Sequence, residues 1–174
     1  MAAQGERAKG AMIDAIAAGI ASNPAPVSRV ILPRLAETNL TSWQLVAYVW
    51  AVGLSKDAAA VEPLIAVYSR ETNGLVRSNC IRALGAIGGK PAADFLLAAV
   101  DGAKGVDVRF EILDVLARMQ CEAALPKTIP TLEQDPQKYF WQPIFIFGKM
   151  GDKAVPFLLS MTTNGNRNVR ANAY

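Results

Sequence analysis

The sequence predicts an all-α fold in which short helical hairpins stack as a solenoid. A segment that ends in small residues recurs at positions 50–53, 82–85, 114–117 and 145–148, at almost constant spacing. A second apolar run, with a proline near its start, follows these segments. Because one hairpin cannot bury its own apolar face whereas stacked neighbours bury a continuous core, a repeat of this length indicates a helical array.

The first helix of each unit carries apolar residues three and four positions apart, which is the period of one helix face. In the third unit this stripe consists of Leu75, Val76, Cys80, Leu84 and Ile87. A valine–arginine pair opens several of these helices and supplies Arg77, Arg109 and Arg170. Since these arginines recur at the repeat period, we interpret them as structural residues that bind carbonyls or a carboxylate of a neighbouring turn.

The second helix of each unit is marked by a proline. Pro33, Pro63, Pro126 and Pro156 each lie early in an apolar run, and the third unit has Pro91 earlier still. Proline is tolerated in the first turn of a helix, where its missing N–H has no intrahelical partner to lose. We therefore expect these prolines to mark helix starts, with Pro63, Pro126 and Pro156 as structural repeat positions.

These signals predict a single domain over residues 1–174. Its approximate repeats span residues 4–38, 41–71, 73–102, 105–134 and 136–163, with a partial repeat at 166–174. The chain is 52% hydrophobic and 19% charged, which is typical of a chain that buries a core and not of a disordered one.

Charge and residue usage narrow the function classes. The net charge is only +3, from 18 basic and 15 acidic residues spread along the chain, so we expect a solvated mixed surface and no nucleic-acid track. There is no histidine, which excludes Ser-His-Asp and Cys-His catalytic arrangements and argues against a zinc enzyme. We expect no catalytic residue, no metal site and no cofactor.

We expect no transmembrane segment, because the longest uncharged stretch, 39–55, is too short and contains several polar positions. A spanning helix needs about 20 predominantly apolar residues. The N-terminal segment also lacks the basic-then-apolar pattern of a signal peptide. We expect a cytoplasmic location by default, and a periplasmic or exported one stays open if a signal peptide has been removed.

The segment Gly151–Leu159, together with the valine–arginine pairs, is similar to the HEAT-like repeats of bilin lyase subunits, within the armadillo-like superfamily. The resemblance covers roughly residues 40–174. It implies a right-handed solenoid of about five hairpins and part of a sixth, with the second helices lining a concave surface. Arg34, Arg70 and Lys127 are then candidates for contacts on that surface.

Two first helices depart from the repeat because they carry large aromatic rings and no charge. The first, residues 42–54, contains Trp43, Tyr48 and Trp50, and the second begins near Tyr139 and Trp141. In one interpretation the rings fill core volume that alanine leaves empty. In the other they contact a protein partner or a second copy of the chain, since Tyr and Trp are enriched at interface hot spots.

We therefore expect a non-catalytic protein–protein interaction or scaffold module that presents a concave helical surface to a partner. The alternatives are a subunit of a bilin-lyase-type or other HEAT-like enzyme, and a nucleic-acid-binding HEAT-like protein. The candidate partner-binding residues are Trp43, Tyr48, Trp50, Tyr139, Trp141, Arg34, Arg70 and Lys127.

Overall fold

The computed structural model describes residues 18–20, 22–23, 25–134, 141–171 and 173, and these residues form helices, turns and loops without a β-strand. The α-helices are α1 (Ala25–Val30), α2 (Ser42–Ser55), α3 (Val61–Arg70), α4 (Gly74–Ile87), α5 (Gly89–Gly102), α6 (Val106–Arg118), α7 (Ile129–Gln134), α8 (Trp141–Met150), α9 (Val155–Met161) and α10 (Arg167–Ala171). Short 3₁₀ segments occupy Leu32–Ala36, Ala58–Ala60, Glu122–Thr128 and Gly151–Ala154. The predicted all-α class is confirmed.

The chain divides into two compact units, Met1–Gly89 and Lys90–Tyr174. The first unit contains α1 to α4, and α2 and α4 make its most extensive helix–helix contact. The second unit contains nearly all of α5 and the helices α6 to α10, and there α6 packs against α8. The predicted single domain and its repeat limits stay a prediction.

The starts of α2 and α4 are fixed by side-chain caps in the first unit. Thr41 and Gln44 form a capping box before α2, in which the Gln44 N–H donates to Thr41 Oγ1 at 3.3 Å and the Thr41 N–H donates to Gln44 Oε1 at 2.9 Å. Asn73 caps α4 by accepting from the Leu75 N–H at 2.9 Å. Its amide nitrogen also donates to Ser42 Oγ at 3.2 Å, which ties the two helix starts together.

The core of the first unit is aliphatic and closely packed. Its fully buried side chains include Leu35, Val49, Val52, Leu64, Val67, Val76, Cys80, Ile81 and Leu84. The helices α2 and α4 approach most closely at Gly53, where an added Cβ would lie 2.9 Å from both Cα and Cβ of Ala83. A glycine is therefore required at this position by the distance between the two helices, not by its backbone angles.

The second unit combines a buried core with ion pairs between its hairpins. Ile112, Leu113, Leu116, Leu132 and Met161 are fully buried. Lys149 on α8 pairs with Asp114 on α6. Exposed pairs of this kind contribute little, typically below about 1 kcal/mol, so the apolar contacts provide most of the stability.

The prolines mark helix starts less regularly than expected. Pro33 is the second residue of a 3₁₀ segment, Pro156 is the second residue of α9, and Pro63 is the third residue of α3. The expectation is wrong at Pro126, which lies inside the 3₁₀ segment Glu122–Thr128, while α7 begins only at Ile129. Pro126 and the proline four positions later each remove one α-helical hydrogen bond, so the chain forms shorter-range 3₁₀ bonds there instead.

Two of the three recurrent arginines, Arg109 and Arg170, make their contacts near the start of their own helices. Arg170 donates from Nη1 to the carbonyls of Asn164 at 2.7 Å and Gly165 at 3.0 Å. Arg109 donates from Nη2 to the carbonyl of residue 103 at 3.4 Å. For these two arginines, the carbonyls belong to the loop that precedes the helix. Arg77 differs, because its guanidinium lies 4.3 Å from the ring centroid of Tyr68 on α3.

We predict that Gly53→Ala lowers the free energy of unfolding by about 1–2 kcal/mol. The overpacking at Ala83 costs about 1–3 kcal/mol, and the gain in helix propensity over glycine offsets about 0.5–1 kcal/mol of it. Urea denaturation followed by circular dichroism measures the change.

The matched control is Gly148→Ala, at the corresponding repeat position of α8, where an added Cβ meets no atom within 4 Å. We expect this variant to gain about 0.5–1 kcal/mol from helix propensity alone. Equal effects of the two substitutions would contradict the close approach of α2 and α4.

Candidate interaction surface

A groove runs between α2 and α4 in the first unit, with a volume of about 390 Å³. We call it the α2–α4 groove. Its lining consists of Trp50, Gly53, Leu54, Asn79, Arg82, Ala83 and Ala86. Apart from the indole N–H of Trp50, the polar side-chain atoms of this lining belong to Asn79 and Arg82. The groove is thus an apolar depression with a polar contribution from α4.

The groove exists because its floor is built from small residues. Gly53 and Ala83 bring the two helices together, and Ala86 leaves space one turn further along α4. Trp50 and Leu54 flank this floor from the α2 side, and their spacing of four positions keeps them on one helix face. The same close contact that packs the core therefore shapes the surface above it.

An exposed apolar rim continues from the groove toward the starts of the two helices. Trp43 is 74% exposed and Leu75 is 45% exposed, and each is the second residue of its helix. Trp43, Ala47 and Trp50 follow each other at spacings of four and three positions, so they share one face of α2. For Trp43 the core-filling interpretation is wrong, because most of its surface is in contact with solvent.

Tyr48 lies on a different side of α2 from the two tryptophans. It is two positions from Trp50, which places it about 200° around the helix. The Arg34 guanidinium lies 5.9 Å from the centroid of the Tyr48 ring, and Arg34 Nε also pairs with Glu37 Oε1 at 3.0 Å. Tyr48 and Arg34 thus form a local contact between α2 and the preceding 3₁₀ segment, separate from the groove.

Arg70 and Lys127 are engaged within the protein. Arg70 donates from Nη2 to the carbonyl of Leu35 at 2.7 Å and to that of Glu37 at 3.3 Å. Lys127 pairs with Asp101 at 2.5 Å in the second unit. The guanidinium of Arg70 therefore holds the end of α3 against the preceding hairpin.

The second aromatic helix is described only in part. Tyr139 lies outside the described residues, and nothing is described of the Trp141 side chain, although its backbone begins α8. Phe145, one turn after Trp141, is 63% exposed and extends the apolar surface of α8. It belongs to the second unit, so it is not part of the α2–α4 groove.

Sequence reasoning missed the α4 side of the groove. Asn79, Arg82 and Ala86 look like ordinary repeat residues, whereas the tryptophans of α2 attract attention. A usable signal was present in the repeat itself, because Arg82 and Ala86 stand one repeat period after Trp50 and Leu54. Equivalent positions on adjacent first helices face the same way, so they form one surface.

The metal-ligating and thiol groups of the described residues are the ones that bear on what a reactive centre needs. In the part of the chain that the structure describes, no three His, Cys, Asp or Glu residues are grouped closely enough to hold a metal ion. Burial raises the pKa of the Cys80 thiol to about 12, so near neutral pH this residue is an uncharged core side chain and not a nucleophile.

No helix among the described residues has the length and apolar character needed to cross a membrane.

We predict that Arg70→Ala destabilises the protein by about 1–3 kcal/mol, because it removes a charged donor from two carbonyls of the preceding hairpin. Arg70→Lys should recover only part of the loss, since a single ammonium lacks the planar fork of the guanidinium. Urea denaturation measures both values.

The control is Arg118→Ala, which removes an exposed pair with Asp114 on the same helix at 2.9 Å. We expect it to cost at most about 0.5 kcal/mol. If Arg70→Ala were as mild as this control, its carbonyl contacts would not contribute to stability.

Comparison with known proteins gives a family match over part of the chain. The family model of HEAT repeats matches residues 44–117, a segment that contains the whole α2–α4 groove. A comparison with curated proteins gives no match. HEAT repeats generally mediate protein–protein interactions or scaffolding and are typically non-catalytic. The match supports the predicted solenoid class and the predicted resemblance, and it shows that residues 44–117 are similar to HEAT repeats.

Proposed function

We propose that this protein is a non-catalytic interaction module and that a protein partner binds in the α2–α4 groove. The observation that carries the proposal is the exposed apolar surface formed by Trp43, Leu75 and the groove beside them. A tryptophan that is 74% exposed at a helix start contributes little to the core of the first unit. Single exposed apolar residues are ordinary, but an apolar rim next to a shaped depression is typical of a recognition surface.

The apolar area exposed at this surface would contribute favourable free energy when a partner buries it. Burying an aromatic side chain removes roughly 200 Å² from water, which is worth on the order of 5 kcal/mol before the costs of association. Two tryptophans in and beside the groove could therefore act as the anchors of an interface, as Trp often does. The remaining lining residues would exclude water around them.

The groove is also rigid before any partner arrives. Its two helices are capped by Thr41 and Asn73, joined at their starts by the Asn73–Ser42 hydrogen bond, and packed in contact at Gly53. A surface that is ordered in the free protein avoids the entropy cost of ordering on binding. We expect a partner that contributes an apolar helix or extended segment.

The groove is a better candidate than the predicted concave surface. Of the three basic residues expected there, Arg70 donates to backbone carbonyls, Lys127 pairs with Asp101, and Arg34 pairs with Glu37. Their charges are already paired within the protein, so a partner would have to compete with these contacts.

A photo-crosslinking amino acid at position 47 tests the proposal in the native cells. Ala47 is exposed and lies on the face shared by Trp43 and Trp50. We expect covalent adducts to one protein, reduced about tenfold when Trp43→Ala is introduced as well, because an anchor worth about 1–2 kcal/mol is lost. Mass spectrometry of the adducts measures both yield and identity.

The matched control places the same crosslinker at Ala98, an exposed alanine on α5. Adducts of the same protein in equal yield from both positions would contradict a partner site in the α2–α4 groove, as would the absence of adducts from position 47.

A further inference from the structure

We infer that a second copy of this chain occupies the α2–α4 groove, with Trp43 of each copy seated in the groove of the other. The inference rests on the proposed function of the groove and names its occupant. Three features of α2 carry it: the offset between Trp43 and the groove, the small residue between them, and the absence of charge.

The projecting side chain and the depression lie on one side of the helix but at different heights. Trp43 is at the first turn of α2, and Gly53 and Leu54 lie at its end. At about 1.5 Å per residue, they are separated by about 15–16 Å along the helix axis. Trp43 therefore cannot fill the groove of its own copy, although it has the apolar character of the groove lining.

In an antiparallel pair of α2 helices, the Trp43 ring of each copy can lie in the groove of the other copy at the same time. A twofold axis halfway between Trp43 and Gly53–Leu54 passes close to position 48, next to the exposed Ala47. A methyl group at that height allows the two backbones to approach, and each Trp43 then lies opposite the groove of the other copy. The contact is closed and self-complementary, so it ends at a dimer and does not extend into a filament.

The electrostatics of α2 suit pairing with itself. The 14 residues of α2 include no charged side chain. A helix that meets its own copy around a twofold axis places identical groups near each other, so charges there would repel. The charged residue of the groove lining, Arg82, lies on α4 and not on α2.

The size of the surface predicts a weak dimer. The α2–α4 face is about 20 Å long and two helix diameters wide, which gives roughly 400 Å² for each copy and about 800 Å² in total. Stable interfaces bury about 1,200–2,000 Å², so this contact is of the small, transient kind. We expect a weak, reversible dimer that is populated only at high protein concentration.

Sedimentation equilibrium of the whole chain, from about 10 µM to about 1 mM, tests the inference. The wild-type protein should rise from the monomer toward the dimer mass. Trp43→Ala and Ala86→Glu should each weaken dimerisation at least tenfold, because the first removes the inserted ring and the second places a charge in the groove. Both residues are exposed, so circular dichroism should show an unchanged fold. Trp43→Gln removes the same ring but leaves a polar side chain, and it should weaken dimerisation as Trp43→Ala does.

Mixing the two variants tests the geometry. A pair of one Trp43→Ala copy and one Ala86→Glu copy keeps one intact ring-in-groove contact, whereas each variant alone keeps none. The mixture should therefore dimerise more strongly than either variant alone. The control is Phe145→Ala, which removes a 63% exposed ring from α8 and should leave the dimer unchanged.

Three results would overturn the inference: a monomer at every concentration, a dimer lost in Phe145→Ala but kept in Trp43→Ala, or a mixture no stronger than its components. Failure of the proposed function itself is distinguishable, because the crosslinker at position 47 would then give no adduct. Adducts to a foreign protein, together with a monomeric chain, would support the groove as a binding site and exclude the second copy.

Discussion

The contact between α2 and α4 at Gly53 is the constraint on which the first unit depends. A Cβ at this position would lie 2.9 Å from two atoms of Ala83, so the separation of the helices is set by the absence of a side chain. That separation brings Val49 and Val52 into the aliphatic core below. It also leaves a depression above, since the residues that face outward beside the contact cannot close over it. Stability and surface shape thus have one cause.

A repeat with a fixed period makes neighbouring surfaces equivalent, and function then arises where the side chains differ. Position 43 carries an exposed indole, whereas its counterpart one repeat later is Leu75. Position 50 carries a half-buried indole, whereas its counterpart is Arg82. The backbone framework that presents these side chains is the same in both hairpins, down to a polar residue that caps each helix start. One helix therefore supplies apolar bulk, and the next supplies small and polar groups.

The helical class and the repeat could be predicted from the sequence, because apolar spacing and recurring small residues depend on local geometry alone. For the groove, the sequence singles out Trp43 and Trp50 on the α2 side, whereas only the repeat spacing points to Arg82 and Ala86 on α4. Its α4 side depends on how closely two helices approach, which no single segment encodes. Arg70 was assigned to a partner because its carbonyl acceptors lie in the preceding repeat, far away in sequence. The expectation for Pro126 was wrong because a second proline one turn later changes the local hydrogen-bond pattern.

Charged and apolar side chains differ in how each unit of this chain accommodates them. Long basic side chains such as Arg70 and Arg170 find carbonyl acceptors nearby, since loops at helix ends leave carbonyl groups without intrahelical partners. A large ring at the first turn of α2 cannot be accommodated in this way. Neither water nor a backbone acceptor offsets the cost of its exposed apolar area. The folded chain therefore pairs these charges internally, whereas the Trp43 ring stays 74% exposed, and this exposure is the reason for proposing it as a contact to another molecule. Binding at such a site depends on shape and burial, so it should respond to the volume of side chains in the groove more than to salt.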